Sequence, residues 1–62
     1  MKLTSYEITV LRVAAGEDVP GFAWGAWVSI CLETLQSCGY ITPGPNHVAT
    51  IKGINKLKEY PQ

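Results

Sequence analysis

The segment from Val28 to Ile41 constrains the fold more than any other part of the chain. Its apolar residues recur at the i, i+3, i+4, i+7 spacing of a helix that buries one face, and Gly39 stands where such a helix would end. We therefore predict a helix over residues 24–38, closed by Gly39. Its core stripe consists of Val28, Cys31, Leu32, Leu35 and Cys38.

The length of the chain sets the next limit. With 62 residues we expect one domain, 1–62, because a core of this size supplies only about 3–5 kcal/mol without a disulfide, a metal or a partner subunit. Five basic side chains are balanced by five acidic ones. This neutrality weakens a nucleic-acid function, since binding to phosphates draws on Lys and Arg.

A first helix is predicted over residues 5–15. Thr4 is a good N-cap, Glu7 stands three residues later as its capping-box partner, and Gly16 is placed to end the helix. The segment after it, 17–25, contains Pro20 and two glycines, so we expect a loop there rather than a helix.

The last third of the chain predicts a hairpin followed by a helix. Residues 40–42 and 48–50 are typical of two short strands joined by a turn rich in Pro, Gly and Asn. Thr50 can cap the final helix, in which apolar residues alternate with charged and polar ones. The apolar residues are Ile51, Ile54, Leu57 and Tyr60.

Three parts of the chain together resemble winged helix-turn-helix regulators of the MarR type. They are the opening pattern from Leu3 to Ala15, the helix-to-strand pattern from Val28 to Ile41, and the pattern Ala49-Thr-x-x-Gly53-Ile-x-x-Leu57. The chain also resembles very small winged-helix proteins of bacteriophages and prophages. The resemblance implies an α+β, winged-helix-like fold of three helices with a small two-stranded β-hairpin, in which the supporting helix is truncated or missing.

The resemblance implies one candidate function, DNA binding in a transcription regulator. The 24–38 helix would lie near the major groove and the hairpin tip near phosphates. Positions 30, 34 and 38, where such families often place Arg or Lys, hold Ile, Thr and Cys here. The remaining candidates for contact with DNA are Ser29, Gln36, Ser37, Asn46, His47 and Lys52.

A second candidate function, which we favour, is a protein interface of a non-catalytic regulatory protein. Large apolar residues follow a second line along the 24–38 helix, and hot spots of protein interfaces are rich in Trp. The candidate interface residues are Phe22, Trp24, Trp27, Ile30 and Thr34. The partner would be another protein or a second copy. The alternative is that Trp24 and Trp27 fold back into the core.

The sequence favours neither catalysis nor metal binding. Cys31 and Cys38 are two helical turns apart, roughly 10 Å, whereas the Cα atoms of a disulfide lie within about 7 Å. His47 is the only histidine, so we predict no catalytic residue, metal site, cofactor or small-molecule substrate. Free thiols predict a cytoplasmic protein, and no apolar run is long enough to span a membrane.

Overall fold

The structure, a computed structural model, describes residues 2–23 and 25–60. Their regular structure consists of three helices: α1 spans Ser5–Ala14, α2 spans Ala26–Ser37 and α3 spans Ile51–Leu57. α1 contacts both other helices. The buried core draws on all three helices and on the α2–α3 connection, through Leu3, Val10, Leu11, Val28, Cys31, Leu35, Tyr40, Ile41 and Leu57.

The start of α1 confirms the predicted capping box. The Glu7 amide donates to the Thr4 hydroxyl at 3.2 Å, and the Thr4 amide donates to the Glu7 carboxylate at 2.8 Å. Two of the amides that a helix start leaves unpaired are thereby satisfied. Between α1 and α2, the described residues form turns and irregular backbone.

The core stripe and the end of α2 also agree with prediction. Val28, Cys31 and Leu35 are buried, and the other two stripe residues lie half-buried against the core. Gly39 has a φ of +79°, which L side chains rarely adopt. This conformation lets the Tyr40 amide donate to the Leu35 carbonyl at 2.9 Å, so the chain turns sharply out of the helix.

The connection between α2 and α3 contradicts the predicted hairpin. Among the described residues, the pairing at 40–42 and 48–50 is a single antiparallel bridge between Ile41 and Ala49, with no strand or sheet around it. The described residues therefore adopt an all-helical architecture. The α+β, winged-helix-like class with a two-stranded β-hairpin was wrong.

Competing backbone partners explain why the pairing stops at one bridge. The bridge is flanked by two bonds, from the Thr42 amide to the Val48 carbonyl and from the Thr50 amide to the Tyr40 carbonyl, both at 2.9 Å. The return bonds are missing, because the Tyr40 amide donates to the Leu35 carbonyl at 2.9 Å and the Val48 amide donates to the Thr42 hydroxyl at 3.0 Å. The two prolines in the intervening turn have no N–H to contribute. A longer ladder would need groups that are already bonded elsewhere or do not exist.

The face that α3 turns toward the core is another departure from the sequence pattern. Gly53 and Leu57 are buried, whereas Ile51 is 80% exposed and Ile54 is 44% exposed. A Cβ at position 53 would lie 2.1 Å from the carbonyl oxygen of Tyr40. The missing side chain therefore lets the backbone of α3 approach Tyr40 closely, and this approach leaves the two isoleucines facing outward.

Tyr60 joins the two ends of the described chain. Its hydroxyl accepts a hydrogen bond from the Leu3 amide at 3.0 Å. Its carbonyl accepts one from the Arg12 guanidinium, which also lies 3.6 Å from the Glu17 carboxylate. Arg12 is thus committed to contacts within the fold.

We predict that Gly53→Ala destabilises the protein although alanine is the better helix former. The added methyl must displace the Tyr40 backbone, and such overpacking costs roughly 2–3 kcal/mol, against a propensity gain of about 1 kcal/mol. Urea unfolding measures the loss. Asn55→Ala, at an exposed position of the same helix, should leave stability unchanged or slightly higher. A Gly53→Ala protein as stable as the parent would contradict the close approach.

Candidate functional site

Three aromatic rings from separate parts of the chain meet beside the start of α2. The ring centroid of Trp27, in the first turn of α2, lies 5.1 Å from that of Tyr6, in the first turn of α1. Phe22, in the connection, contacts Trp27 edge-on at 6.1 Å. Ile30 stands one turn after Trp27, on the same side of α2. We call Tyr6, Phe22, Trp27 and Ile30 the aromatic surface.

Most of the aromatic surface is accessible. Ile30 is 65% exposed, Tyr6 64% and Trp27 38%, while Phe22 is half-buried against the core. The sequence left open whether Trp27 lies in the core or at an interface. The structure places both Trp27 and Ile30 outside the core cluster.

An open groove adjoins these rings. Its volume is about 300 Å³, and the connection between α1 and α2 forms one of its walls. The lining is largely apolar and includes Tyr6, Val19, Pro20, Phe22 and Trp27. Such a groove suits an apolar side chain more than a charged one.

Thr34 and Trp24 are the other two predicted interface residues. Thr34 lies half-buried one turn beyond Ile30, and its hydroxyl donates to the Ile30 carbonyl at 3.2 Å. It therefore extends the aromatic surface mainly through its methyl group. Trp24 lies outside the described residues.

Tyr6 is the member of the aromatic surface that the sequence analysis did not single out. It belongs to α1, whereas the sequence suggested an interface built from the turn and α2. An available signal was its position on α1 one turn before the buried Val10, which places its ring at the edge of the buried face. Only the contact between helices shows that this exposed ring reaches Trp27.

The predicted DNA-contact residues of α2 lie on its outer side. Ser29 and Ser37 are exposed and Gln36 is half-buried. The one charged side chain in the sequence of α2 is Glu33, which is also exposed. A carboxylate beside these residues would repel phosphates, and α2 itself has no cation to offset the repulsion.

The remaining DNA candidates lie outside α2, and each makes one contact within the fold through a backbone or side-chain atom. The backbone carbonyl of Asn46 accepts a hydrogen bond from the Thr42 hydroxyl at 3.2 Å. His47 Nδ1 lies 3.0 Å from the Thr42 carbonyl oxygen. Lys52 donates to the Cys38 carbonyl at 2.8 Å, at the end of α2. Asn46 and His47 thus shape the turn before α3 instead of projecting from a β-hairpin.

Both cysteines are present as thiols, as the sequence predicted. Burial raises the pKa of the Cys31 thiol, and the Glu7 carboxylate raises it further. The thiol therefore stays protonated and weakly nucleophilic near neutral pH.

Residues 2–23 and 25–60 contain no group of three or more His, Cys, Asp or Glu side chains that could hold a metal ion. None of their helices combines the length and the apolar character required to cross a membrane.

We predict that substitutions at Trp27 and Ile30 affect stability differently. Trp27→Ala removes two aromatic contacts, each worth about 0.5–1.5 kcal/mol, so the free energy of unfolding should fall by roughly 1–3 kcal/mol. Ile30→Ala should change it by no more than about 0.5 kcal/mol, as expected for an exposed position. Urea unfolding of both variants measures the difference. An equally large loss for Ile30→Ala would mean that Ile30 belongs to the core.

Known proteins give no independent indication of function, so the function must be argued from the aromatic surface. No family model, curated protein or solved structure matches the chain. The resemblance to winged helix-turn-helix regulators therefore stays a prediction.

Proposed function

We propose that this chain is a non-catalytic regulatory protein that binds another protein through the aromatic surface. The observation that carries the proposal is the pair of exposed side chains, Tyr6 and Ile30, on either side of the partly exposed Trp27. Exposed clusters of large apolar residues usually mark interaction sites, and Trp and Tyr dominate the binding energy of interfaces. The regulatory role, and a phage or prophage setting, rest on the sequence resemblance alone.

The charge pattern indicates what kind of partner fits. None of the four residues of the aromatic surface is charged, and the nearby Glu7 carboxylate is occupied by the Thr4 amide. Burying this surface therefore removes no free charge from water, which would be costly. The best match is an apolar or aromatic segment of the partner.

The size of the surface indicates how the partner binds. Aromatic side chains have roughly 150–250 Å² each, so the exposed fractions of Tyr6, Trp27 and Ile30 correspond to on the order of 300 Å². A stable interface buries about 800 Å² per partner. The aromatic surface thus suits a short segment that places one or two apolar side chains in the groove, rather than an obligate dimer.

The same features weigh against duplex DNA as the partner. The outer side of α2 has serines and one carboxylate but no cation, and Arg12 is committed to Tyr60 and Glu17. Phosphate neutralisation supplies most of the non-specific affinity of DNA-binding proteins. A protein partner requires no such cations, so we favour it.

A peptide library presented by mRNA display tests the proposal with the intact protein. We expect selection of peptides with apolar or aromatic residues, whose amide shift changes map to the first turns of α1 and α2. Ile30→Glu should weaken their binding by roughly tenfold or more, because it places a charge in the contact. The melting temperature should stay unchanged, since Ile30 is exposed.

The matched control is Val48→Glu. Val48 is a 54% exposed apolar residue outside the aromatic surface, and its substitution introduces the same charge. Peptide binding that survives Ile30→Glu, or that falls equally in both variants, would overturn the proposal. Sedimentation equilibrium of the free protein separates the self-association alternative, in which a stable dimer would form without peptide.

Fluorescence anisotropy of a labelled random-sequence duplex, at low and moderate salt, compares the two functions. We expect no binding even at high micromolar protein. Binding that falls steeply as salt is added would favour the DNA-binding alternative. In that case Lys52→Glu should weaken the affinity for any duplex.

A further inference from the structure

A second open groove lies at the opposite end of α2 from the aromatic surface. It has a volume of about 480 Å³ and is lined by Tyr40, Ile51, Lys52, Asn55, Lys56 and Glu59. This volume falls within the roughly 300–1,000 Å³ of ligand sites. We call these six residues the basic pocket, since two ammonium groups and one carboxylate leave it with a formal charge of one positive.

The fold holds the ammonium of Lys52 in place. Its Nζ donates to the Cys38 carbonyl at 2.8 Å and lies 5.4 Å from the centroid of the Tyr40 ring. The carbonyl lies at the end of α2, and the ring attracts the cation. Lys52 is therefore partly ordered before any ligand arrives, which lowers the entropy cost of binding.

Lys56 is held in a similar way. Its Nζ lies 3.0 Å from the Glu59 carboxylate and 5.8 Å from the centroid of the Tyr60 ring. The hydrogen bond to Glu59 raises the pKa of Lys56, so this ammonium is charged throughout the neutral range.

The donor count shows that both lysines can accept another partner. An ammonium has three N–H donors, and the contact with Cys38 uses one donor of Lys52. The contact with Glu59 likewise uses one donor of Lys56. The exposed amide of Asn55 lies between them on α3 and adds further donors. These groups together favour a ligand with anionic oxygens.

The rim of the basic pocket is apolar on one side. Ile51 is 80% exposed there, and Tyr40 contributes its ring. A ligand that matched the site would carry one negative charge next to an apolar group. A peptide carboxylate beside an apolar side chain has this combination, whereas a phosphodiester backbone repeats its charge without such a neighbour.

We propose that the basic pocket binds a carboxylate of an acidic peptide segment, with Lys52 and Lys56 on the carboxylate and Ile51 on the adjacent apolar side chain. This site is separate from the aromatic surface, at the other end of α2, so it stands or falls independently of the proposed function. Its ligand is recognised by charge as well as by apolar contact.

Amide shift titration of the full chain with acetyl-Leu-Glu-Leu-amide tests this site. We expect saturable changes at residue 40 and at residues 51–59. The matched peptide acetyl-Leu-Gln-Leu-amide should bind about tenfold more weakly, because charge-assisted hydrogen bonds are the stronger ones. Ile30→Glu should leave this binding unchanged, which separates the test from that of the aromatic surface.

Three variants with the same change of charge locate the contact. Lys52→Gln and Lys56→Gln should each weaken binding about tenfold. Lys58→Gln, at an exposed position outside the basic pocket, should leave it within about twofold. Because Lys52→Gln also removes the contact with Cys38, Lys56→Gln decides the outcome if the first variant loses its native spectrum.

Several results would overturn the carboxylate assignment. Equal binding of the Glu and Gln peptides, shifts confined to other residues, or no saturable shift would each do so. The same amide shift titration is finally carried out with inorganic phosphate as the ligand. If phosphate bound the same residues more tightly than the Glu peptide, the site would be one for phosphate groups, as on a nucleic acid.

Discussion

The close approach of α3 to the Tyr40 carbonyl is the contact that fixes the last third of the structure. Gly53 makes it possible, because any side chain at that position would collide with the Tyr40 backbone. The same carbonyl oxygen accepts the Thr50 amide at 2.9 Å, and the Thr50 hydroxyl donates to Gly39. α3 is too short to be stable alone. Its fixed position against the end of α2 therefore comes from this backbone contact rather than from a broad apolar face.

Two features of the surface follow from that contact. Since Gly53 faces inward, Ile51 and Ile54 face outward, and Lys52 reaches the end of α2. The basic pocket is a product of this orientation. The aromatic surface, at the other end of α2, depends instead on the contact between α1 and α2. The aromatic surface and the basic pocket are thus built by different contacts: the first by α1 against α2, and the second by α3 against the end of α2.

The features that the sequence predicted correctly are those set by interactions between residues close together in the chain. Helix starts and ends followed from Thr4, Thr50 and the glycines. Helical spacing placed Trp27 and Ile30 on one line of α2 but left open whether that line faces the core. The sequence did not show which of several possible partners a group takes. The hairpin prediction failed because the Tyr40 amide bonds to α2 and the Val48 amide bonds to the Thr42 hydroxyl. The apolar face of α3 was misjudged because a glycine, which weakens a helix in isolation, is here the point of closest contact. Tyr6 was missed because its neighbour lies on another helix.

The double role of Tyr60 has a consequence for how the domain forms. Its bonds join residues 57 and 48 positions apart in the chain, to Leu3 and Arg12 respectively. Contacts of such long range close large loops and form late, after their entropy cost has been met by other interactions. During synthesis, α1 would have neither bond until residue 60 had left the ribosome. A nascent chain that stops before Tyr60 would therefore present α1 and the residues just before it without these two bonds.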